Sequence, residues 1–402
     1  MWRRTKRLAR FGAGFAFLCT ASMGWSQTPS IDALRAAAEA GDASAQVALG
    51  RVYDQGTTVP QDFVKALKWY RLAAQAGDAA AQNELGKALR AGLGGPPDLD
   101  AAFAWLMRAA ETGLPAYVFD LARMYEQGAG ITQDFAKAAT LYQSAADAGH
   151  VEAAVSLGVL YQNGTGAAQD FAKALALYQP AADAGNARAQ NNLGLLYVRG
   201  TGVPQDYDAA FKLFSKAAEA GNARAMRNLG VMYENGFGVA QSDAQAAALY
   251  RAAGQNADLS LEQQLAAAGF LPDPRLVVPD YTPEALLRLQ TQATAGDPVA
   301  QFLLAYMLVS GPDAAATYPQ AAQWFLDAAK AGLPMARANL GLLYFQGLGV
   351  PQDFVSGYMW MSLAAASGVP DAISLRDSFA TKLTPGQLAE AQEISQTAWD
   401  EK

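Results

Sequence analysis

The stretch Asn186-Ala-Arg-Ala-Gln-Asn-Asn-Leu-Gly-Leu-Leu-Tyr197, continued by Gly200-Thr-Gly-Val-Pro-Gln-Asp206 and by Lys216-Ala-Ala-Glu-Ala-Gly221, decides how this chain folds. Ala189, Leu193, Leu196 and Tyr197 follow one another at steps of four, three and one, which trace one face of an α-helix. Gly200 ends that helix, because only glycine takes a left-handed cap without a Cβ penalty. Asp206 stands where an N-cap belongs, its carboxylate accepting from free amides of the next turn. A second helix then runs from Tyr207 to Ala220, so one unit is a helical pair.

Working outward, the pattern recurs. Glycine falls at 41, 77, 113, 149, 185 and 221, always 36 residues apart, and the spacing resumes at 296, 332 and 368. With each glycine as position 0, position 8 is leucine in all eight units, position 9 is Gly or Ala, position 12 is Tyr or Leu, and position 15 is Gly. Asp62, Asp134, Asp170 and Asp353 repeat the cap of Asp206. Each second helix carries a large residue at position 28 or 29 (Trp69, Trp105, Tyr142, Tyr178, Trp324, Trp360), and the small position 9 leaves room for a neighbouring aromatic. A single pair cannot bury both its faces, so the units must stack. The sequence therefore predicts an all-α solenoid with local contacts.

The rhythm breaks once, after unit six. Leu271-Pro272-Asp273-Pro274 and Pro279-Asp280 cannot continue a helix. Thr282-Pro283-Glu284 then supplies a cap, a proline at the first helical position and an early acid. The helix it opens runs into Gly296-Asp297, much as Ser30 to Ala40 runs into Gly41-Asp42. The predicted organisation is a signal peptide at 1–26, a capping helix and repeats one to six over 30–257, and a proline-containing linker at 258–282. A capping helix with repeats seven and eight follows over 283–370, then C-terminal capping helices over 371–402. Thr384 and Gln387 form a capping box for the last of these, which ends near Trp399.

These columns resemble Sel1-like repeats, relatives of the tetratricopeptide repeat, over roughly 31–257 and 283–370. Pro96-Pro97, Leu114-Pro115, Ser242-Asp243 and Pro312 depart from the pattern locally. The resemblance implies a right-handed superhelix whose first helices line the concave side. It also implies non-enzymatic work, of the kind done by adaptors and regulators of the bacterial envelope. Some cysteine-rich relatives are described as β-lactamase-like or penicillin-binding; this chain has none of their cysteine pairs.

Composition narrows the function further. The chain has 402 residues, 51% hydrophobic and 17% charged, too apolar for a wholly disordered protein. Arg3, Arg4, Lys6, Arg7 and Arg10 precede the apolar run Phe11–Thr20, with small residues at Gly24 and Ser26, which reads as a cleaved secretory signal. Removing those five basic residues leaves 25 against 37 acidic ones, a net of −12, which argues against sequence-independent nucleic-acid binding. Cys19, the single cysteine, would be lost with the signal. The expected location is the periplasm or outside the cell, with no stable membrane anchor.

Chemistry finds little footing. One His and one Cys cannot assemble a zinc site, and no Ser-x-x-Lys, His-Glu-x-x-His, P-loop or Gly-x-Ser-x-Gly occurs. His150 occupies the position held elsewhere by Asp42, Asp78, Asn186, Asn222 and Asp297, so it reads as a substitute at the start of a helix. The sequence thus predicts no catalytic residue, cofactor or metal. Positions 3, 7, 10 and 14 flank the buried face of each first helix and can face the groove. Position 10 runs Arg51, Lys87, Arg123, then Val159, Leu195, Val231, Tyr306 and Leu342, which predicts a groove basic at one end and apolar in the middle. Arg188, Asn192, Leu195 and Arg199 in unit five, with Arg224, Asn228, Val231 and Asn235 in unit six, form the candidate protein-binding surface: apolar residues flanked by arginine anchors and amides able to pair with an extended backbone. The expectation is a periplasmic scaffold or adaptor that binds a protein partner there. The alternative is an envelope polysaccharide- or peptidoglycan-binding accessory protein or enzyme, for which a carboxylate pair of shifted titration in the groove would be the sign.

Overall fold

The computed structural model describes residues 30–258, 269–279, 282–311 and 314–401; the expected signal peptide and Cys19 lie outside them. Among the described residues there are twenty helices and no strand. Helix α1 (Ile31–Glu39) caps the array. Six helical pairs follow: α2 (Ala43–Gln55) with α3 (Phe63–Gln75), α4 (Ala79–Ala91) with α5 (Leu99–Ala110), α6 (Pro115–Gln127) with α7 (Phe135–Asp147), α8 (Val151–Asn163) with α9 (Phe171–Asp183), α10 (Ala187–Arg199) with α11 (Tyr207–Glu219), and α12 (Ala223–Asn235) with α13 (Asp243–Asp258). Helix α14 (Pro283–Thr294) precedes the two remaining pairs, α15 (Pro298–Ser310) with α16 (Ala314–Lys330) and α17 (Pro334–Gln346) with α18 (Phe354–Ala366). Helices α19 (Ala372–Ala380) and α20 (Pro385–Asp400) end the chain.

The helix boundaries follow from the chemistry of single side chains. Asp62, Asp134, Asp170, Asp206 and Asp353 each accept a backbone N–H of the next turn, at 2.8–3.1 Å. Asp98 does the same for α5 at 3.0 Å, so the Pro96-Pro97 loop keeps its cap. Thr384 and Gln387 make both bonds of the expected capping box. Gly200 ends α10 at φ +65°, and the corresponding glycine is left-handed in seven of the eight units. Gly311 is the exception, extended at φ −79° and ψ 171°. Pro312 follows it, and a residue before proline is pushed out of the helical region into extended backbone. The expected left-handed stop is therefore wrong at this one position.

The small position 9 works as a socket. A Cβ placed on Gly50 would come 2.5 Å from Tyr70 Cε1, and one on Gly194 would come 2.7 Å from Phe214 Cε1. The residue that fills the socket is thus at position 29. The tryptophans at position 28, among them Trp69 and Trp105, do not appear at these sockets. Tyr70, Tyr142, Tyr178 and Phe214 are buried in this way. Two amide columns bind the turns together: Gln61, Gln133, Gln169, Gln205, Gln241 and Gln352 each donate to the carbonyl seven residues back, at 2.7–3.0 Å. Gln46, Gln82, Gln190 and Gln301 donate to the end of the preceding helix, eight residues back.

Two features lie beyond the repeat pattern. First, the ends of the array meet. Arg376 on α19 is 1% exposed and donates to the carbonyls of Gly56 at 3.1 Å and Gln55 at 3.0 Å, in unit one. Tyr358 Oη donates to Gln61 Oε1 at 2.7 Å, and the Phe63 N–H donates to Gln392 Oε1 on α20 at 3.2 Å. The terminal helices therefore cap the last repeat on one side and grip the first repeat on the other. Second, the described part of the linker, 269–279, is packed down. Leu271 is buried against Ala338, Leu342 and Phe345 of α17. Asn339, fully buried, holds the Leu271 backbone twice: its Nδ2 donates to the carbonyl at 2.8 Å, and its Oδ1 accepts from the N–H at 2.7 Å.

Candidate interaction groove

The first helices of neighbouring units are joined by side chains. Arg51 on α2 reaches Glu84 on α4 at 3.3 Å, Asn83 on α4 reaches Asp120 on α6 at 3.1 Å, Arg188 on α10 reaches Ser156 on α8 at 3.1 Å, and Asn228 on α12 reaches Asn191 on α10 at 2.8 Å. Successive second helices of the repeat pairs share no such bond among the described residues. Positions 3, 7 and 10 of these neighbouring first helices therefore lie along one face of the array, the face that the repeat pattern assigns to the groove.

On that face the eight expected residues fall into two groups. Leu195 and Val231 present apolar surface, half-buried and 43% exposed respectively. Arg199 and Arg224 are exposed and make no hydrogen bond or ion pair among the described residues. Arg188 is less free. Its guanidinium lies 3.5 Å from Glu152 as well as bonding Ser156, and Glu152 also accepts from Asn186 at 2.5 Å. Asn192 is half-buried and accepts from Asn191 at 3.3 Å, beside the Tyr178 hydroxyl. Asn228 gives Nδ2 to Asn191, whereas its Oδ1 accepts nothing among the described residues. Asn235 turns back onto its own helix, donating to the Val231 carbonyl at 2.9 Å.

The end expected to be basic is largely neutralised. Glu84 pairs with both Arg51, at 3.3 Å, and Lys87, at 2.8 Å. Arg123 lies 5.9 Å from the Phe119 ring centre. Nearby, burial and the charge of Arg123 lower the pKa of the Arg90 guanidinium, and its buried Nη1 has no partner. The acid that answers two of the three position-10 cations is Glu84 at position 7, in the unit after Arg51 and the same unit as Lys87. The apolar middle is as expected in units five and six. In unit eight the same position, Leu342, is fully buried in a cluster with Leu271 of the linker and with Ala372, Leu375 and Phe379 of the C-terminal cap.

Among the described residues one groove carboxyl, Asp54, has a raised pKa; burial is its first cause, and the Tyr70 hydroxyl holds it at 3.3 Å. The same tie, from position 29 to position 13, recurs in Tyr142 with Glu126, Tyr178 with Gln162 and Tyr250 with Glu234. Asp54 therefore belongs to the packing ladder of the repeat, which an amide serves equally well. Burial likewise pushes the tyrosine hydroxyls of this ladder upward, Tyr250 to about 12. His150 is an N-cap, its Nδ1 accepting from the Ala153 N–H at 3.1 Å, with its ring stacked on Phe119. No group of three metal-ligating side chains occurs among the described residues, and no described helix is long and apolar enough to cross a membrane.

Sequence reasoning missed the hold of Asn339 on Leu271 and the grip of Arg376. The first had a signal: Asn339 shares position 7 with Asn192 and Asn228, in a column otherwise occupied by Ala48, Glu84, Asp120, Ser156 and Leu303. Arg376 had none, since it lies outside the repeats.

Helical pairs, sockets and a concave face of variable residues define an α-solenoid scaffold. Its repeat matches the Sel1 repeat at 43–78, 79–114, 115–150, 151–186, 187–222, 223–258, 298–333 and 334–369, and the chain belongs to that family. Among solved structures it is similar to a protective antigen of uropathogenic Escherichia coli with an SLR fold, at 30% identity over 92% of this chain and 86% of that one, with a TM-score of 0.50. It is also similar to a Sel1 repeat protein from Oxalobacter formigenes, at 28% identity over 56% of this chain and 87% of the other, with a TM-score of 0.51. No curated protein matches it. Proteins of this repeat family are in general non-catalytic scaffolds that mediate protein–protein interactions.

Proposed function

We propose that this protein is exported to the periplasm or cell surface and binds a protein partner on the concave face of units five and six. One observation carries the reading: Leu195 and Val231 form an apolar strip open to solvent, bordered by the unpaired cations Arg199 and Arg224. Apolar contact area edged by arginine is the composition of a recognition surface. The matching column of unit eight is already buried with the chain's own linker and C-terminal cap, so the open stretch lies in the first block. Export rests on the basic and apolar residues of 1–26 and is tested by fractionating cells and sequencing the mature N-terminus.

Partner binding is tested by cross-linking the tagged full-length protein in its own cells and identifying what it captures. Arg224 is the residue to reverse, because Arg188→Glu would also set a second carboxylate against Glu152. A captured envelope protein that disappears with Arg224→Glu, at unchanged thermal unfolding, is the expected result. Capture insensitive to Arg224→Glu and to Val231→Asp would move the interaction off this face. Recovery of glycan strands alone would favour a carbohydrate-binding role.

A further inference from the structure

We infer that units five and six bind an extended, acidic peptide segment, whose backbone N–H is taken by Asn228 Oδ1 and whose apolar side chain lies over Val231. This rests on the groove reading above and specifies the partner's form: a strand-like stretch of chain, not a folded surface.

The molecule already contains one such complex. Over 270–273 the linker lies on the first helix of unit eight with its backbone held by Asn339 at both the N–H and the carbonyl of Leu271. The Leu271 side chain is packed on Leu342, at position 10, and on Ala338, at position 6. The next polar side chain, Asp273, is buried and bonded by Arg275 of the same segment at 2.6 Å. Backbone recognition by an amide, an apolar anchor beside it and an acid two residues on are therefore shown physically within this chain.

Unit six repeats the receptor half. Asn228 stands at position 7 and Val231 at position 10, the places of Asn339 and Leu342. The helix behind each amide matters as well. In units seven and five, position 29 is Phe325 and Phe214, which lack the hydroxyl that Tyr178 sets beside Asn192. Of the three asparagines at position 7, Asn228 and Asn339 are thus the two not facing a tyrosine hydroxyl from the preceding unit. They differ in one bond, because Asn228 spends its N–H on Asn191, whereas the corresponding residue below Asn339 is Phe302. The oxygen of Asn228 remains to accept a peptide N–H. Asn228 is half-buried, with one side of its amide fixed by Asn191, so its oxygen is positioned before an occupant arrives.

Charge sets the rest of the occupant. In unit eight, position 3 is Met335, and the acid of the bound segment is neutralised by that segment's own arginine. In unit six, position 3 is Arg224, exposed and unpaired, with Arg227 and Arg199 also exposed. An incoming segment therefore finds its countercharge on the receptor, and an acidic residue flanking the anchor is the complement.

The probe is the acetylated heptapeptide Gly-Phe-Leu-Pro-Asp-Pro-Glu, which is segment 269–275 with its arginine replaced by glutamate, labelled for fluorescence polarisation against the full chain. Binding is expected to weaken about tenfold with Asn228→Ala, which is about 1.4 kcal/mol. N-methylating the peptide leucine should cause the same loss, with no further loss on the Asn228→Ala protein. Asn339→Ala should leave the affinity unchanged. Equal binding of the methylated and unmethylated peptides, or a loss on Asn339→Ala in place of Asn228→Ala, overturns the inference. No peptide binding while cellular capture still depends on Arg224 also overturns it, because the partner is then read as a folded surface and the groove function stands. Loss of both removes the groove function too.

Discussion

Replacing Arg376 with alanine is expected to separate the two ends of the array while leaving the repeats folded. The guanidinium is 1% exposed and bonds the Gly56 and Gln55 carbonyls at 3.1 and 3.0 Å. Those groups close the C-terminal end of α2, where carbonyls lack helical partners and the helix dipole favours a cation. Its ionic partner is Asp377 at 2.7 Å, whose side chain is 56% exposed. Breaking a buried charged set costs about 3–5 kcal/mol. The other crossing bonds, Tyr358 to Gln61 and Phe63 to Gln392, are neutral and contribute about 1 kcal/mol each. A loss of 3–5 kcal/mol shifts an open-to-closed ratio by roughly two to nearly four powers of ten. Repeat arrays sum local terms, so helices elsewhere should not respond. Cys19 is the chain's only cysteine, so after Cys19→Ser two new cysteines at the exposed positions Lys68 and Glu390 can carry spin labels alone. Pulsed electron resonance should find one short, narrow distance in the parent and a long, broad one in Arg376→Ala at unchanged helical circular dichroism. A distance that stays narrow, or lengthens only as helix is lost, refutes the reasoning.

Three further outcomes follow from single contacts. Asn339→Ala should speed hydrogen exchange at the Leu271 amide by roughly tenfold or more, since that N–H loses its acceptor; unchanged exchange would mean the apolar contacts alone hold the linker. Gly185 and Gly202 both have positive φ, at +88° and +75°, so alanine should cost about 1 kcal/mol at either by urea unfolding. Gly202→Ala should lose about 1–3 kcal/mol more, because its Cβ would lie 2.8 Å from Phe171 Cβ whereas Gly185 faces open space. Burial pushes the Tyr358 hydroxyl up to about 12. Its raised folded value means the contribution to end closure is full below pH about 10 and is lost as pH climbs from there through 12; the labelled pair should read this, and Tyr358→Phe should remove the dependence.

The fold was legible because its determinants are local and repeated. A 36-residue period, a leucine column and a capping acid each report on contacts made within one unit or with the next, and eight copies average out local accidents such as Pro96-Pro97. Gly311 shows where a column fails: Pro312 acts on its neighbour's backbone whatever the repeat prefers. The candidate groove was legible in position but not in pairing. Glu152 and Arg188 occupy the same column in adjacent units and Glu84 and Lys87 are three apart on one helix, so both ion pairs could have been read, whereas the reach of Arg51 to Glu84 depends on how far one helix is rotated against the next. The meeting of the ends was not legible. It is set by the small rotation between units accumulated over the whole array, and no residue in the pattern encodes a sum. The Pro272 and Pro274 break correctly excluded helix over 269–279, but where that segment lies depends on a partner 68 residues away in the chain.

The two non-repeating features act on the same property of the groove. An open solenoid flexes along its length, and a partner that binds it bears the cost of fixing its curvature. Here Arg376, Tyr358 and Gln392 tie the last units to the first, while Asn339 and Leu342 hold a segment against units seven and eight. Curvature is thereby constrained by bonds that span the array, not by stacking alone. Within one molecule, position 10 is then fully buried at Leu342, where Leu271 of the linker joins its cluster, and 43% exposed at Val231. Position, helix and socket are common to both. Part of that difference is the contact Leu271 makes in unit eight, and at Val231 the corresponding apolar surface is open.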